Sequence, residues 1–459
     1  MRRREFLRAA GLAGLGSLTP SLFARVQARS GQPIPKSQGK SRMGVGAPKL
    51  DKVRLGFIGV GARGPTHVAS CLNIEGCEIV AICDLYEDWA NRAVKMCTDA
   101  GRTAPAIYTS GPYDFKRMNE RDDIDVVVIS TPWEWHVPMA VDAMSKGKHA
   151  LVEVPAATTV DECWQLVDAA EKNQVHCMML ENVNYGREEL LVLNMCRKGV
   201  FGELLHGEAA YIHDLRGQMH EVERGTGSWR TYHYARRNGN LYPTHGLGPV
   251  SQYMNINRGD RFDFISSVSS NSRVRAKYAK EKFAPDHKWN STRFTAGDIN
   301  TSIIKSVLGR TIMVQWDEQL PRPYTRHNLI QGTEGIWAGF PNRCVIENVS
   351  KSTHSWDQAA DLKKFYDEHE HPLWAKQGEL AQKVGGHGGM DFLMMWRVIY
   401  CLRNGEPLDQ DVYDAAAWSS VFPLSEWSVN NRGTSIDFPD FTRGAWRTGE
   451  PLGIFDPGA

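Results

Sequence analysis

A glycine-rich turn at residues 59–64 constrains the fold of this chain more than any other feature. Residues 53–58 are mostly apolar and predict a buried strand, which runs directly into the G-x-G-x-x-G sequence Gly59-Val60-Gly61-Ala62-Arg63-Gly64. Residues 65–72 then predict the first turns of a helix. In this arrangement the first glycine makes a tight turn, the second lets the backbone approach a pyrophosphate, and the third lets the helix pack on the strand. The helix N-terminus binds the phosphates, so the turn predicts a dinucleotide site.

A carboxylate at the end of the next strand supports this prediction. The apolar residues 78–83 predict a second strand that ends at Asp84, twenty residues after Gly64. A carboxylate at this spacing can accept hydrogen bonds from an adenosine ribose. No arginine directly follows Asp84, which favours NAD over NADP as the cofactor.

Strands and helices alternate from residue 52 to about residue 181, a pattern typical of a doubly wound parallel sheet, the α/β Rossmann fold. Further strands are predicted at 105–108, 124–130, 149–153 and 175–180, and helices at 87–100, 137–145 and 160–173, the last capped by Asp161. Ligands bind at the carboxyl ends of such strands. We therefore expect three segments near the nicotinamide, namely Thr131–His136, Glu153–Val154 and Glu181–Asn184.

The pattern changes at about residue 185. Aromatic-rich loops now alternate with β-branched runs at 264–269, 301–308 and 311–316, and helices are predicted at 392–403 and 411–419. This pattern predicts an α+β domain with a large, mostly antiparallel sheet. The domains expected are an NAD-binding domain at 51–184 and a substrate-binding domain at 185–459.

The N-terminus has the features of an export signal. Arg3-Arg4-Glu5-Phe6-Leu7-Arg8 matches the twin-arginine pattern, a weakly apolar stretch follows, and Val26-Gln27-Ala28 is a suitable cleavage site. Residues 1–28 are therefore expected to direct folded export to the periplasm or the medium. Residues 29–50 are rich in glycine, proline, serine and lysine, which predicts a flexible linker.

Composition excludes several other classes of protein. The net charge is +1, but residues 1–28 contribute +4, so the remaining chain carries −3 and offers no basic surface for nucleic acid. No later apolar run approaches the ~20 residues that span a bilayer. The nine cysteines form no C-x-x-C pair, and no H-E-x-x-H motif occurs, so we expect buried thiols and no metal site.

The order of these motifs resembles the glucose–fructose oxidoreductase and inositol dehydrogenase superfamily. Within it, nearly the whole mature chain resembles glycoside hydrolase family 109, whose characterised members are NAD-dependent α-N-acetylgalactosaminidases. The motifs that carry the resemblance are Trp133-Glu134-Trp135-His136, Glu153-Val154-Pro155-Ala156-Ala157, Glu181-Asn182-Val183-Asn184-Tyr185, Asn240-Leu241-Tyr242-Pro243-Thr244-His245-Gly246-Leu247-Gly248-Pro249, Pro321-Arg322-Pro323-Tyr324 and Gly385-Gly386-His387-Gly388-Gly389-Met390-Asp391.

One residue separates this chain from ordinary sugar dehydrogenases of the superfamily. Those enzymes carry E-K-P, whose lysine helps to deprotonate the alcohol, whereas Val154 stands at that position here. Valine cannot take or relay a proton, so another group must do so. The segment Tyr242-Pro243-Thr244-His245 is the candidate, because Pro243 favours a turn or helix start and histidine suits general acid–base work near neutral pH.

The resemblance implies a hydrolysis by oxidation at carbon 3, elimination of the group on carbon 1, addition of water and reduction by the same NAD. This route needs no paired catalytic carboxylates. It implies His245 as catalytic base, with assistance from Tyr242 or Tyr185. For NAD it implies Gly59, Gly61, Ala62, Arg63, Gly64, Asp84, Trp133, Glu134, Trp135, His136, Glu153, Val154 and Asn182. For the sugar it implies Tyr211, Arg230, Tyr242, Pro243, Thr244, His245 and Tyr324.

Two alternatives remain open from the sequence. The protein could be a sugar oxidoreductase with tightly bound nicotinamide, although Val154 argues against this reading. It could instead be a sugar-binding protein that keeps NAD as part of its fold, against which the Tyr, Arg and His side chains argue. A small-molecule glycoside is the expected partner, and a homodimer is expected by analogy with the superfamily.

Overall fold

The first sheet is parallel throughout and carries the glycine-rich turn. The computed structural model describes residues 34–458, so the predicted signal peptide lies outside the described residues. Numbered by their order in the chain, the six strands pair in the order 3-2-1-4-5-6, which confirms the predicted Rossmann domain. They are β1 (Val53–Ile58), β2 (Cys77–Cys83), β3 (Ala106–Tyr108), β4 (Val126–Ile129), β5 (His149–Val152) and β6 (Cys177–Met179).

Helices connect these strands and cover the sheet. All four residues of β4 are buried, as expected for a central parallel strand covered on both faces. The connecting helices are α1 (Gly64–Leu72), α2 (Glu87–Asp99), α3 (Asp114–Asn119), α4 (Trp133–Ser145) and α5 (Val160–Asn173).

Two helix starts differ from the sequence prediction. Helix α4 begins at Trp133 and not at 137, because its first turn is already packed at the end of β4, which helical periodicity alone does not reveal. Helix α5 is capped by Thr159 and not by Asp161. Thr159 has an extended backbone and forms a capping box with Glu162, whereas Asp161 lies inside the first turn.

The second sheet has nine strands and is mostly antiparallel, as predicted. Its strands pair in the order 14-13-12-11-7-10-9-8-15, and the pair formed by strands 7 and 10 is parallel. The strands are β7 (Leu204–Ile212), β8 (Phe262–Ser269), β9 (Asn300–Ser306), β10 (Thr311–Asp317), β11 (Leu329–Gly332), β12 (Gly335–Ala338), β13 (Arg343–Ile346), β14 (Asp357–Gln358) and β15 (Ile436–Asp437).

The helices after residue 185 pack on both sheets. They are α6 (Arg187–Arg197), α7 (Thr226–Arg236), α8 (Thr244–Tyr253), α9 (Val274–Lys282), α10 (Lys288–Ser291), α11 (Lys363–His369), α12 (Pro372–Val384), α13 (Met390–Asn404) and α14 (Val412–Asn430). The last two return to the first domain: Ser419 of α14 accepts a hydrogen bond from the amide of Ala156 at 3.1 Å. The C-terminal part of the chain therefore also builds the surroundings of the parallel sheet.

The described part of the predicted linker makes several hydrogen bonds to the folded domains. The amide of Arg42 donates to the hydroxyl of Tyr413 at 3.0 Å, and the amide of Leu50 donates to the carbonyl of Leu402 at 3.1 Å. Ser37 donates to the buried carboxylate of Glu171 at 2.8 Å. Polar residues within 34–50 therefore form hydrogen bonds with the C-terminal helices and with α5. Composition alone does not show whether a polar segment bonds to the protein or to water.

Candidate active site

A cavity of about 430 Å³ lies between the two domains, at the carboxyl ends of the parallel strands. Residues from the ends of β1, β2, β4 and β5 form one wall, and residues that follow β7 or lie near α7 and α8 form the other. A cleft at this position, where the strand order reverses between β1 and β4, is where open α/β sheets bind ligands.

The glycine-rich turn fits a dinucleotide. Gly59 has a φ of +85°, a value that L side chains rarely adopt. A Cβ on Gly64 would lie 2.1 Å from the carbonyl oxygen of Gly59, so only glycine allows α1 to start this close to β1. Gly59, Gly61, Ala62 and Arg63 line the cavity, whereas Gly64 supports the turn from behind.

Asp84 is held at the end of β2 by the backbone. Its carboxylate accepts hydrogen bonds from the amide of Val60 at 2.7 Å and from the amide of Tyr86 at 2.9 Å. Burial raises the pKa of Asp84, while these amides oppose the shift. The side chain lines the cavity next to Gly61, where a ribose hydroxyl would meet it.

Arg63 joins the turn to two buried carboxylates. Its guanidinium contacts Glu153 at 3.1 Å and the fully buried Asp391 of α13 at 3.0 Å, and Glu153 also accepts from His67 at 2.6 Å. Burial opposes the charge of both acids, but Arg63 and the neighbouring histidines outweigh it and hold the pKa of each carboxyl well below its usual range. Asp391 also accepts from Asn182 at 2.7 Å.

The first turn of α4 lies at the cavity, directly after the end of β4. Trp133, Trp135 and His136 line the cavity, and so does the apolar Val154 after β5. His136 is buried between the carbonyls of Pro155 (2.9 Å) and Thr131 (2.8 Å), and burial lowers its pKa. Its role is therefore to fix the turn.

His245 is oriented by a buried glutamate. Its Nδ1 lies 2.7 Å from Oε1 of Glu181, which follows β6 and has no exposed surface. Helix α8 starts at Thr244, with Pro243 at its N-cap, which confirms the predicted helix start and places His245 in the first turn. Because Nδ1 donates to the carboxylate, Nε2 carries the free lone pair of the neutral ring.

Two tyrosines surround this histidine. The rings of Tyr211 and Tyr242 are 4.7 Å apart, and each centroid is 5.0 Å from the ring of His245. Burial raises the pKa of both phenols, so they remain hydrogen-bond donors at neutral pH. The two aromatic rings, with their phenol groups protonated, line the cavity beside the histidine.

Arg230 supplies a buried positive charge to the same wall. Its guanidinium lies 4.9 Å from the ring centroid of Tyr242 and contacts Glu318 at 3.1 Å. Glu318 is fully buried and also accepts from Tyr234 at 2.6 Å. This pairing offsets the cost of burying the arginine and fixes its position in the cavity wall.

Most of the predicted site residues meet in this one cavity. Those that do not line it are Gly64, Glu134, Tyr185, Pro243, Thr244 and Tyr324, and the hydroxyl of Tyr185 donates instead to Asp409 at 3.1 Å. Glu134 lies 3.5 Å from His233, and Thr244 is fully buried in α8. Tyr324 lies just outside, with its ring 5.2 Å from that of His213, which does line the cavity. Within residues 34–458, no group of three or more potential metal ligands occurs.

Sequence reasoning missed several residues of the site. Glu181 was placed only within a segment near the nicotinamide, and Glu318 and Asp391 were given no role. All three are buried acids that pair with His245, Arg230 and Arg63, respectively. The only sequence signal was a carboxylate directly after a strand for Glu181 and Glu318, and position in the last glycine-rich motif for Asp391.

A contact between the domains closes the dinucleotide end of the cavity. Arg224, before α7, pairs with Asp88 of α2 at 2.9 Å and lies 5.4 and 5.0 Å from the ring centroids of Tyr86 and Trp89. The Trp89 ring packs against Gly61, since a Cβ there would lie 2.2 Å from a ring carbon. We call these four residues, Arg224, Asp88, Tyr86 and Trp89, the clamp.

Solved structures share this architecture. Levoglucosan dehydrogenase in complex with NADH and levoglucosan is 17% identical and has a TM-score of 0.65, covering 84% of this chain and all of that one. A putative myo-inositol dehydrogenase from Sinorhizobium meliloti is 13% identical, with a TM-score of 0.58, 84% of this chain and 99% of that one. Residues 53–181 match the oxidoreductase family with an NAD-binding Rossmann fold, so NAD is the cofactor.

The clamp predicts how long NAD stays bound. Arg224→Ala removes an exposed ion pair and two cation–π contacts, together worth about 1–2 kcal/mol, so we expect NAD to dissociate about tenfold faster. Retained NAD is measured by enzymatic cycling after repeated filtration of the diluted holoprotein.

The matched control is Arg187→Ala. Arg187 has the same side-chain exposure as Arg224, 46%, pairs with Glu370 and lies 4.8 Å from the Tyr366 ring, but it does not line the cavity. Equal NAD loss from both variants would show that the clamp has no specific role in retention.

None of the helices within residues 34–458 has the length and apolar character needed to cross a membrane. Residues 185–448 match the C-terminal domain of glycosyl hydrolase 109. Curated relatives from Shewanella sp. (strain W3-18-1) and Shewanella baltica, both called glycosyl hydrolase family 109 proteins, are 60% identical over 456 residues, which is 99% of this chain and 99% of each relative. By this match, and with both domains in place around one cavity, the chain belongs to glycosyl hydrolase family 109.

Proposed function

We propose that this protein hydrolyses terminal α-linked N-acetylgalactosamine by oxidation, elimination, addition and reduction. One observation carries the proposal: a histidine oriented by a buried carboxylate lies in the NAD cavity, whose wall also includes Val154. His245 supplies the acid–base group, while the position after Glu153 is apolar. A cavity with an oriented base on the sugar side suits removal of a carbon-bound proton.

The first domain would hold NAD and the second would handle protons. The turn at 59–64, Asp84 and the residues around Val154 and Asn182 line the part of the cavity that suits the dinucleotide. When bound there, NAD would supply reversible hydride transfer at carbon 3 of the sugar. No second substrate is then needed to recycle it.

The ketone at carbon 3 acidifies the hydrogen on carbon 2, and Nε2 of His245 takes that proton. The group on carbon 1 then leaves with the proton that His245 returns to its oxygen. Water adds at carbon 1 of the unsaturated ketone and gives a proton through His245 to carbon 2. The buried Arg230 places a positive charge beside Tyr242, which favours a hydrogen bond from this phenol to a negatively charged oxygen. Glu181 stabilises the imidazolium that forms when His245 is protonated.

A net sugar oxidoreductase is the second candidate. The dehydrogenases with a similar fold give the reason to keep it, although their identity of 13–18% to this chain supports only the fold. Both candidates begin by oxidising a sugar hydroxyl, and with Val154 in the cavity wall another side chain must take the hydroxyl proton in either case. The two candidates differ in their product.

The deciding measurement is hydrolysis of a chromogenic α-N-acetylgalactosaminide in deuterated water without added cofactor. We expect dye release, with deuterium at carbon 2 of the freed sugar and no net change in cofactor absorbance. Dye release with hydrogen retained at carbon 2 would contradict the elimination route. An oxidised sugar without dye release would favour the oxidoreductase.

The pair of His245 and Glu181 gives a second prediction. We expect His245→Ala to lower kcat by about 100-fold or more, because it removes the base. Glu181→Gln should lower kcat by about tenfold or more, because it loses the orienting charge. Both should slow deuterium incorporation at carbon 2.

His387→Ala is the matched control, because His387 also lines the cavity with Nδ1 2.8 Å from a buried carboxylate, that of Asp391. This variant should retain kcat within a few-fold and incorporate deuterium normally. If His387→Ala and His245→Ala lose deuterium incorporation equally, His245 is not the specific base.

We also propose that the chain is exported, folded with NAD, through the twin-arginine pathway. The support is the Arg3-Arg4 sequence and a cofactor that is regenerated within each cycle. Changing both arginines to lysine should keep the protein in the cytoplasm, as measured by cell fractionation. Unchanged export of that variant would contradict the pathway.

A further inference from the structure

An exposed aromatic surface continues the cavity wall outward, and we propose that it binds the aglycone sugar of the glycoside. This surface, the aromatic platform, consists of Tyr324, Phe340 and Arg326. The proposal rests on the proposed function, since it concerns the part of the same substrate that remains outside the cavity. It assigns a second sugar-binding site with a neutral pyranose as its ligand.

The platform presents two rings to solvent. Tyr324 and Phe340 are each 38% exposed, with ring centroids 5.7 Å apart and planes at 71°. The guanidinium of Arg326 lies 5.4 Å from the first centroid and 4.9 Å from the second. Each residue keeps more than a third of its surface accessible, and the two rings adjoin each other.

A buried ion pair holds the platform rigid. Arg326 donates to the buried carboxylate of Glu189 at 2.7 Å and to the hydroxyl of Tyr324 at 2.9 Å. Since Glu189 balances its charge, Arg326 orients the rings without creating a strong site for an anion. The surface therefore favours a neutral ligand over an acidic one.

The backbone at Phe340 is strained. Its φ is +54°, in the left-handed region that bulky residues rarely occupy. Full burial of the ring does not offset this strain, because Phe340 remains 38% exposed. Strain of this kind is retained where the surrounding structure holds it, and it concentrates at ligand sites.

The platform is continuous with the proposed sugar site. The ring of Tyr324 is 5.2 Å from His213 and 6.1 Å from Tyr211, both of which line the cavity beside His245. Phe340 packs on Tyr324 and does not itself line the cavity. A glycoside whose terminal sugar lies at His245 would direct its aglycone along this path, and the C–H face of a pyranose ring can pack on exposed aromatic faces.

The test removes the Phe340 ring with a residue that tolerates the same backbone conformation. Phe340→Gly suits a φ of +54°, which alanine would not. Two substrates are compared, N-acetylgalactosamine α-linked to methanol and the same sugar α-linked to galactose. We expect kcat/KM for the galactoside to fall about fivefold, mainly through KM, with the methyl glycoside unchanged.

Two variants serve as controls. Phe340→Tyr keeps a ring and should retain the wild-type preference for the galactoside. Trp356→Ala removes another exposed ring, 39% exposed with the guanidinium of Arg343 4.9 Å from its centroid, at a place that does not border the cavity. It should leave both substrates unaffected.

An equal fall for both substrates in Phe340→Gly, or no fall for either, would overturn the platform proposal. If the wild-type protein cleaves neither substrate, the proposed function is wrong, but the platform proposal is still open to test. Saturation-transfer NMR of the intact disaccharide then decides the inference. Transfer to the galactose protons that Phe340→Gly abolishes supports the platform, and absence of transfer in the wild type overturns it.

Discussion

A partly buried cation joins the NAD-binding turn to the C-terminal helices. Arg63 stands inside the glycine-rich turn, and its guanidinium pairs with Glu153 at the end of β5 and with Asp391 of α13. Neither acid has more than a small exposed fraction, so each would be costly to bury without this partner. Arg63 therefore ties the NAD-binding turn, the end of β5 and α13 together beside the cavity.

Similar pairs of a cavity-lining group and a buried acid occur in the wall formed by the second domain. His245 and Arg230 both line the cavity, and each is paired behind the wall with a fully buried glutamate, Glu181 or Glu318. A charged group that is supported from behind keeps its position when the substrate excludes water, and this preorganisation lets it act on a transition state. The proton chemistry that we propose needs such a fixed histidine, because Val154 has no proton to exchange.

The division of labour between the domains explains how one fold can host different sugar chemistries. The parallel sheet supplies the NAD site, whose parts are common to many proteins of this architecture. β7 and the residues that follow it, together with α7 and α8, supply most of the second domain's wall of the cavity.

The sequence by itself determined the Rossmann domain, the antiparallel second sheet and the NAD site, because glycine spacing, strand alternation and Asp84 are local patterns with direct geometric meaning. It also placed His245 at a helix start through Pro243. Only the tertiary structure decided which acids support the site, that residues within 34–50 form hydrogen bonds to the folded domains, and that Arg224 reaches across to Asp88. These contacts join residues that are far apart in the chain. The local patterns of a single sequence do not show which distant residues meet.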